Sequence, residues 1–175
     1  MKQMKQNSGG FTLIEIMVTL LVLSIGVSAM AVMQVRAIKS NQNAFSRSDA
    51  NFIAISFLEE FKRLPFDDAG LTAGNNLDAG KAPAGGNPNP AAADNQFNAA
   101  GFPALANLFQ IDGTTIIDGA GRRYTLFWNV DKTPVNFGGV TYTPFCTIRL
   151  FVYWNTLLGP NSISITTIKF NNLEA

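Results

Sequence analysis

The chain has 175 residues, enough for one modest domain and an anchor, and its formal net charge is only +1. So small a charge gives no basic surface for a nucleic-acid partner, and the absence of histidine removes the commonest general base and most zinc sites. We therefore expect neither an enzyme nor a metal, cofactor or small-molecule ligand. The single cysteine, Cys146, cannot form an internal disulfide, and we expect it to be a small buried residue on a strand.

A long apolar segment begins near the N-terminus, and an acid lies at its start. Residues Gly10 to Glu15 read Gly-Phe-Thr-Leu-Ile-Glu, and the next charged residue is Arg36. The stretch from Phe11 to Val35 is long enough to span a bilayer as a helix. An ionised carboxylate near the start of such a segment costs roughly 2.5–3.5 kcal/mol on insertion scales, so a chain that retains one usually has a use for it.

An ordinary secretory signal is the alternative interpretation of this segment. Lys2 and Lys5 would form its basic start, 16–28 its apolar core, and Ala29-Met30-Ala31 its small-residue cleavage site. Two features favour an uncut, membrane-spanning helix: the acid at Glu15, and a helical pattern that continues past the candidate cleavage site. Both interpretations export the C-terminal part of the chain.

The helical pattern continues beyond the apolar segment as an amphipathic helix. We expect Pro65 to end it, because the residue before a proline disfavours helical backbone angles. The predicted helix spans 11–64, with 11–35 as its membrane-spanning half and 36–64 as its amphipathic half. The apolar residues predicted to share one face are Ile38, Phe45, Ile53, Phe57, Phe61 and Leu64, joined toward the far end by Phe52, Ile55 and Leu58.

Residues 65–113 are predicted to be a variable connection between the helix and a sheet. Gly, Ala, Asn, Pro and Asp dominate 65–102, with a low-complexity core from Ala82 to Pro90. We expect this stretch to bury little and to be a mobile insertion, with a contact surface as the alternative. Its aspartates lack the alternating ligand spacing of a calcium loop and do not predict a metal site. They are Asp67, Asp68, Asp78 and Asp94.

Residues 114–175 are predicted to form an antiparallel sheet of about four strands. Two segments alternate with the period of a half-buried strand, and 114–117 is a shorter strand. A turn at 155–161 leads into a last strand, whose change of phase at Thr166-Thr167 predicts a β-bulge. The residues predicted to face the core are Tyr124, Leu126, Trp128 and Val130 on one strand, and Cys146, Ile148, Leu150, Val152 and Trp154 on the next.

Three aromatic residues, Phe127, Phe151 and Tyr153, fall on the outer face of this sheet. They indicate either a partner surface or a face that the 65–102 segment covers. A sheet with one apolar face and the helix face around Phe57 are sufficient to form two packed layers. The predicted fold class is therefore α+β, with a long N-terminal helix on a C-terminal antiparallel sheet.

The stretch from Gly10 to Glu15, with the short leader before it, resembles the processing site of bacterial type IV prepilins. Residues 20–26, 34–37 and 41–48 look like those of the PilV-type minor pilins, also called pilus modification proteins. The resemblance covers about the first third of the chain. It implies the pilin fold, with a leader at 1–10, a helix at 11–64 and a β-rich head at 114–175.

The resemblance also implies a processing and assembly pathway. A prepilin peptidase and methyltransferase would cut between Gly10 and Phe11 and methylate the new N-terminus, and Glu15 would pair with the N-terminal amine of a neighbouring subunit. Expected partners are other major and minor pilins, contacted through the N-terminal helix. The expected location is the inner membrane, with the head outside the cytoplasm, and then the extracellular pilus. A pseudopilin of a type II secretion system shares these features, and a soluble binding domain released after Ala31 is the alternative from another class.

Overall fold

A computed structural model describes residues 10–74, 76–81, 87–98, 101–102, 105, 108–156 and 159–171. The chain forms two compact units, a first unit of Met1–Asn41 and a second unit of Gln42–Ala175. Helix α1, Leu13–Arg63, begins in the first unit and ends in the second. It ends just before Pro65, as predicted. The predicted leader lies outside the described residues except for Gly10.

In the described parts of the second unit there are eight strands and two short 3₁₀ turns. The turns are Ala69–Leu71 and Pro90–Ala92. The strands are β1 Asn95–Gln96, β2 Gln110–Asp112, β3 Thr115–Ile117, β4 Arg123–Asp131, β5 Val135–Phe137, β6 Val140–Tyr142, β7 Phe145–Thr156 and β8 Gly159–Phe170.

The main sheet is antiparallel and larger than the four strands expected. Its order is β2-β3-β4-β7-β8, and β1 also pairs with β4, while β5 and β6 form a separate hairpin. Strands β1 and β2 come from the 65–113 connection, where the sequence pattern predicts no strand. The α+β fold class, with the helix packed on an antiparallel sheet, is confirmed.

The core of the second unit lies between the sheet and one face of α1. The predicted inward residues of β4 and β7 are all buried in it, together with Ile53, Phe57 and Phe61 of the helix. Cys146 is fully buried on β7, as predicted, and burial raises the pKa of its thiol. A protonated, buried thiol is inert, so this cysteine has a packing role.

The predicted helix face is wrong for several of its residues. Ile38 and Phe45 are 58% and 64% exposed, and Phe52 and Ile55, which were predicted to widen the face toward its far end, are exposed as well. A helix turns by about 100° per residue, so the step of eight from Phe45 to Ile53 rotates the side chain by about 80° away from the core. Small residues, Ser46, Ala50 and Ala54, occupy the buried face near the start of the second unit.

The 65–113 connection buries more than predicted. Leu71, Phe97 and Phe102 are buried in the core, and the rings of Phe97 and Phe102 lie 5.2 and 5.4 Å from that of Phe57. The expectation that this stretch buries little is therefore wrong, because its scattered aromatic residues fill the core beside the helix. Residues 82–86 of the predicted low-complexity core lie outside the described residues.

The aromatic outer face of the sheet is covered. Phe127, Phe151 and Tyr153 stack with ring centroids 5.1–6.4 Å apart, and Ala93 of the connection packs on them. Asn129 fastens this cover, since its Nδ2 donates to the carbonyls of Leu77 and Ala79. Of the two alternatives for this face, the structure supports a cover rather than an open partner surface.

Strand β8 runs without the predicted bulge. Its register with β7 is continuous from Thr156↔Gly159 to Phe145↔Phe170. The regular two-residue period therefore places Ile168 and Phe170 on the exposed outer face and Thr167 on the core side. The predicted turn is shorter than expected, and residues 157–158 within it lie outside the described residues.

Candidate functional site

The predicted processing site lies at the beginning of α1. Gly10 and Phe11 precede the helix, and the backbone N–H groups of Glu15 and Ile16 donate to the carbonyl of Thr12 at 3.1 and 3.3 Å. Phe11 is 79% exposed. The peptide bond between Gly10 and Phe11 is thus in an exposed, non-helical segment immediately before the first helical turn.

Among the described residues, nothing in the surroundings of Gly10 requires a glycine there. A Cβ atom placed on Gly10 would meet no atom within 4 Å. Gly80 differs, because its φ is +72° and a Cβ atom on it would lie 2.5 Å from the carbonyl oxygen of Asn89, so a larger residue is excluded. The described residues thus give no packing reason for a glycine at position 10.

Glu15 lies in the first turn of α1 and is exposed. The helix dipole favours an acid at this position by roughly 0.3–1 kcal/mol. Among the described residues, no ion pair or hydrogen bond involves its carboxylate, and Thr19 Oγ1 donates instead to the backbone carbonyl of Glu15 at 2.7 Å. The carboxylate is therefore free to bind a cation supplied by another molecule.

The helix surface that follows Glu15 is apolar and entirely exposed. An 18-residue window of α1 has a mean hydropathy of 2.4 with none of it buried, so this helix is long and apolar enough to cross a membrane. Monomeric soluble proteins rarely expose an apolar surface of this size, which marks protein or membrane contact. The exposed residues include Leu20, Leu21, Val22, Leu23, Ile25, Val27, Met30 and Val32.

The second unit contains a polar cluster that the sequence did not predict. Arg122 joins the helix to the sheet: it binds Asp49 and Asp118 at 2.5 Å each, and donates to Ser46 Oγ at 3.0 Å. Tyr124 donates to Asp118 Oδ2 at 3.1 Å. Its link to the helix is one that no local pattern could have indicated, because Arg122 and Asp49 are far apart in the chain.

Hydrogen bonding sets the charge state of this cluster. Partial burial by itself raises the pKa of Asp118, but the hydrogen bonds from Arg122, Ala120 and Tyr124 outweigh it, so the net pKa is below the usual aspartate value. Burial is also the main reason that the pKa of the Tyr124 hydroxyl is raised. The cluster is thus an ion pair with a neutral tyrosine, and it joins the helix to the sheet within the second unit.

The aspartates of the connection are also engaged in structural contacts. Asp68 accepts from the N–H of Gly70, Asp78 binds Arg149 at 2.8 Å, and Asp94 accepts from the N–H of Val130. Within the part of the chain that the structure describes, no three His, Cys, Asp or Glu side chains come together as a metal site. The features at the start of α1 are therefore the ones that point to a function.

Comparison with known protein families supports this location. Residues 5–31 match the prokaryotic N-terminal methylation motif. No curated protein and no solved structure matches the chain significantly. This motif is typical of prepilins of the type IV pilin and pseudopilin kind, which are structural subunits. It also implies processing by a prepilin peptidase and agrees with membrane anchoring by the apolar helix.

Proposed function

We propose that the chain is a minor type IV pilin, most similar to the PilV-type pilus modification proteins. It would be anchored in the inner membrane by α1 with its head outside the cytoplasm, cut between Gly10 and Phe11, methylated on Phe11 and incorporated into a pilus. In that pilus it would act by assembly with other major and minor pilins, priming the filament or modifying its surface.

The observation that carries the proposal is the position of Gly10 to Glu15 directly before an apolar, fully exposed helix. An accessible Gly10–Phe11 bond suits proteolysis. The described residues leave open space around Gly10, and a narrow protease cleft would account for a glycine at this position. The apolar helix can leave the bilayer without exposing itself to water only by packing against similar helices. A filament core provides such packing.

Glu15 supplies the electrostatic part of the proposal. Cleavage frees the amine of Phe11, which is mostly protonated at neutral pH even after one methylation. Transfer of this cation into an apolar filament core is costly unless an anion accompanies it. The exposed carboxylate of Glu15, at the start of the same apolar surface, can pair with the amine of a neighbouring subunit and offset the desolvation of both charges.

The proposal is tested by sequencing the chain where it accumulates. We expect sheared surface pili to contain the chain without its leader and uncut after Ala31. Mass spectrometry should show that it begins with N-methylated Phe11. A soluble form in the medium that begins at Val32 would instead identify a secreted domain. This alternative requires a protease to cut after Ala31, within α1. A form processed at Phe11 but absent from pili, in cells whose enzyme secretion fails when the gene is deleted, would identify a type II secretion pseudopilin.

A further inference from the structure

Strand β8 forms a long free edge of the main sheet. It lies at one end of the strand order, and among the described residues only β7 pairs with it. The opposite edge differs, since β2 has three residues and carries Asp112, which binds Arg123 at 2.7 Å. Strand β8 has 12 residues and is thus the edge on which another strand could pair.

The register identifies which backbone groups point away from the sheet. The N–H of Asn171 donates to the carbonyl of Pro144 at 2.8 Å, just beyond the pair Phe145↔Phe170. Residues of an antiparallel strand bond alternately to one side and the other. Odd-numbered residues of β8 therefore bond to β7, and the even-numbered ones direct their backbone groups outward. The residues with an outward N–H and carbonyl are Ser162, Ser164, Thr166, Ile168 and Phe170.

This edge lacks the devices that normally prevent strand pairing. Proteins protect exposed edges with charges, prolines or bulges. Pro160 and Lys169 lie near the two ends of β8, but the sequence from Asn161 to Ile168 contains no charge or proline, and its register has no bulge. A partner in extended conformation would find a row of regularly spaced donors and acceptors.

The side chains beside this row define two different halves. Ile168 and Phe170 are 55% and 66% exposed, and the ring of Phe145 lies 6.4 Å from that of Phe170 on the same face. Ser162 and Ser164 occupy the corresponding positions at the other end. One half of the edge is therefore apolar and the other is small and polar.

Pairing with a second copy of β8 matches these halves poorly. In the antiparallel register that pairs all five outward residues of both copies, Thr166 of one copy lies opposite Thr166 of the other. This register would place Phe170 opposite Ser162 and Lys169 opposite Ile163, so each apolar residue would face a polar one. A different segment, with apolar or β-branched residues opposite Ile168 and Phe170, fits the edge better.

We propose that the free edge of β8 binds an extended, uncharged segment of another protein, which continues the sheet as an added strand. Its backbone would bond to the outward groups of β8. Its side chains would be apolar or β-branched opposite Ile168 and Phe170, and small opposite Ser162 and Ser164. This interaction belongs to the head and does not depend on the packing of the N-terminal helix.

The edge is tested by photo-crosslinking of the full chain in the cells that make it. A photoreactive p-benzoylphenylalanine replaces Ser164, and the same replacement at exposed Asn136 of β5 is the control. We expect position 164, and not position 136, to crosslink to one segment of another protein that mass spectrometry identifies. Crosslinks only to a second copy of this chain, or none at position 164, would overturn the proposal.

The identified segment is then synthesised as a peptide and bound to the full chain in detergent micelles. We expect at least tenfold slower hydrogen exchange at the outward amides of Ser164 and Thr166, with that of Ile165 unchanged. Ser164→Pro removes an outward N–H that β7 does not use and should weaken binding more than tenfold, while Ser164→Ala should not. Thr166→Lys replaces the proline variant if circular dichroism shows that the latter does not fold.

Equal peptide binding by the wild type and by folded Ser164→Pro or Thr166→Lys would overturn the proposal. The result is independent of the proposed function. A chain found in pili without crosslinks at position 164 contradicts only the edge, and a chain that crosslinks there but never enters pili contradicts only the pilin assignment.

Discussion

At the scale of single residues, the acids of this chain differ in what they bind. Asp49 and Asp118 are held by Arg122 in the second unit, while no described group binds the carboxylate of Glu15 in the first. An acid at the start of an apolar helix is costly to retain when, as here, no described residue pairs with it. The proposed assembly role gives this carboxylate a partner in another molecule.

Replacing Glu15 by alanine tests this interaction. We expect Glu15→Ala to leave membrane insertion intact but to lower incorporation into filaments at least tenfold, because the amine of a neighbouring subunit would be buried without a counter-charge. Immunoblots of membrane and sheared-pilus fractions measure both quantities.

Thr19→Ala is the matched control one turn further along. It removes only a side-chain bond to the helix backbone, so incorporation should stay at the wild-type level. Normal incorporation of Glu15→Ala would contradict an assembly role for the carboxylate.

At the scale of elements, α1 presents two aromatic surfaces in the second unit. Phe57 is fully buried among the rings of Phe61, Phe97 and Trp128, and Phe45 is exposed. The first surface holds the helix on the sheet. The side chain of Phe45 is 64% exposed and contributes little buried surface to this unit.

The two surfaces should respond differently to truncation. Phe57→Ala should lower the free energy of unfolding by about 3–5 kcal/mol, because it leaves a cavity in the core. Phe45→Ala should change it by less than about 0.5 kcal/mol. Urea unfolding of the full chain in micelles, followed by tryptophan fluorescence, measures both. Equal losses would show that the helix packs on the sheet through a different face.

Sequence periodicity predicted strands β4 and β7 well, but it did not predict several contacts between elements. The alternation in β4 and β7 is local, so Trp128 and Ile148 were correctly assigned to the core. The burial of Phe97 and the binding of Asp49 by Arg122 depend on distant parts of the chain, and no local spacing encodes them. The N-terminal methylation motif is contiguous in the chain and can therefore be read from the sequence. The phase of β8 was predicted wrongly, because threonines suit either face of a sheet.

At the scale of the whole molecule, the second unit is held together without a disulfide. Its only described cysteine, Cys146, is unpaired and buried. Strand pairing holds the sheet together instead. The aromatic core and the Arg122 cluster join the helix to the sheet. Of these three interactions, the Arg122 cluster is the one whose contribution to stability depends on pH.

Acid should weaken the second unit through Asp118. Its pKa is lower in the folded than in the unfolded chain, so its contribution is complete above the ordinary aspartate pKa of about 3.9 and is lost as the pH falls through the lower folded value. Asp118→Asn should cost about 1–3 kcal/mol at pH 7 and distinctly less near pH 2.5. Urea unfolding of both proteins at the two pH values measures the difference, and a cost that does not vary with pH would contradict this role.

The order of the elements along the chain also determines when the second unit can fold. The long pairing of β7 with β8 joins neighbouring segments, and such hairpins form within about 1–10 μs once both strands exist. The aromatic face of α1, by contrast, is synthesised about sixty residues before β4, which begins at Arg123. During that interval the sheet does not yet cover Phe57 and Phe61, so the nascent chain exposes apolar surface of the kind that promotes aggregation.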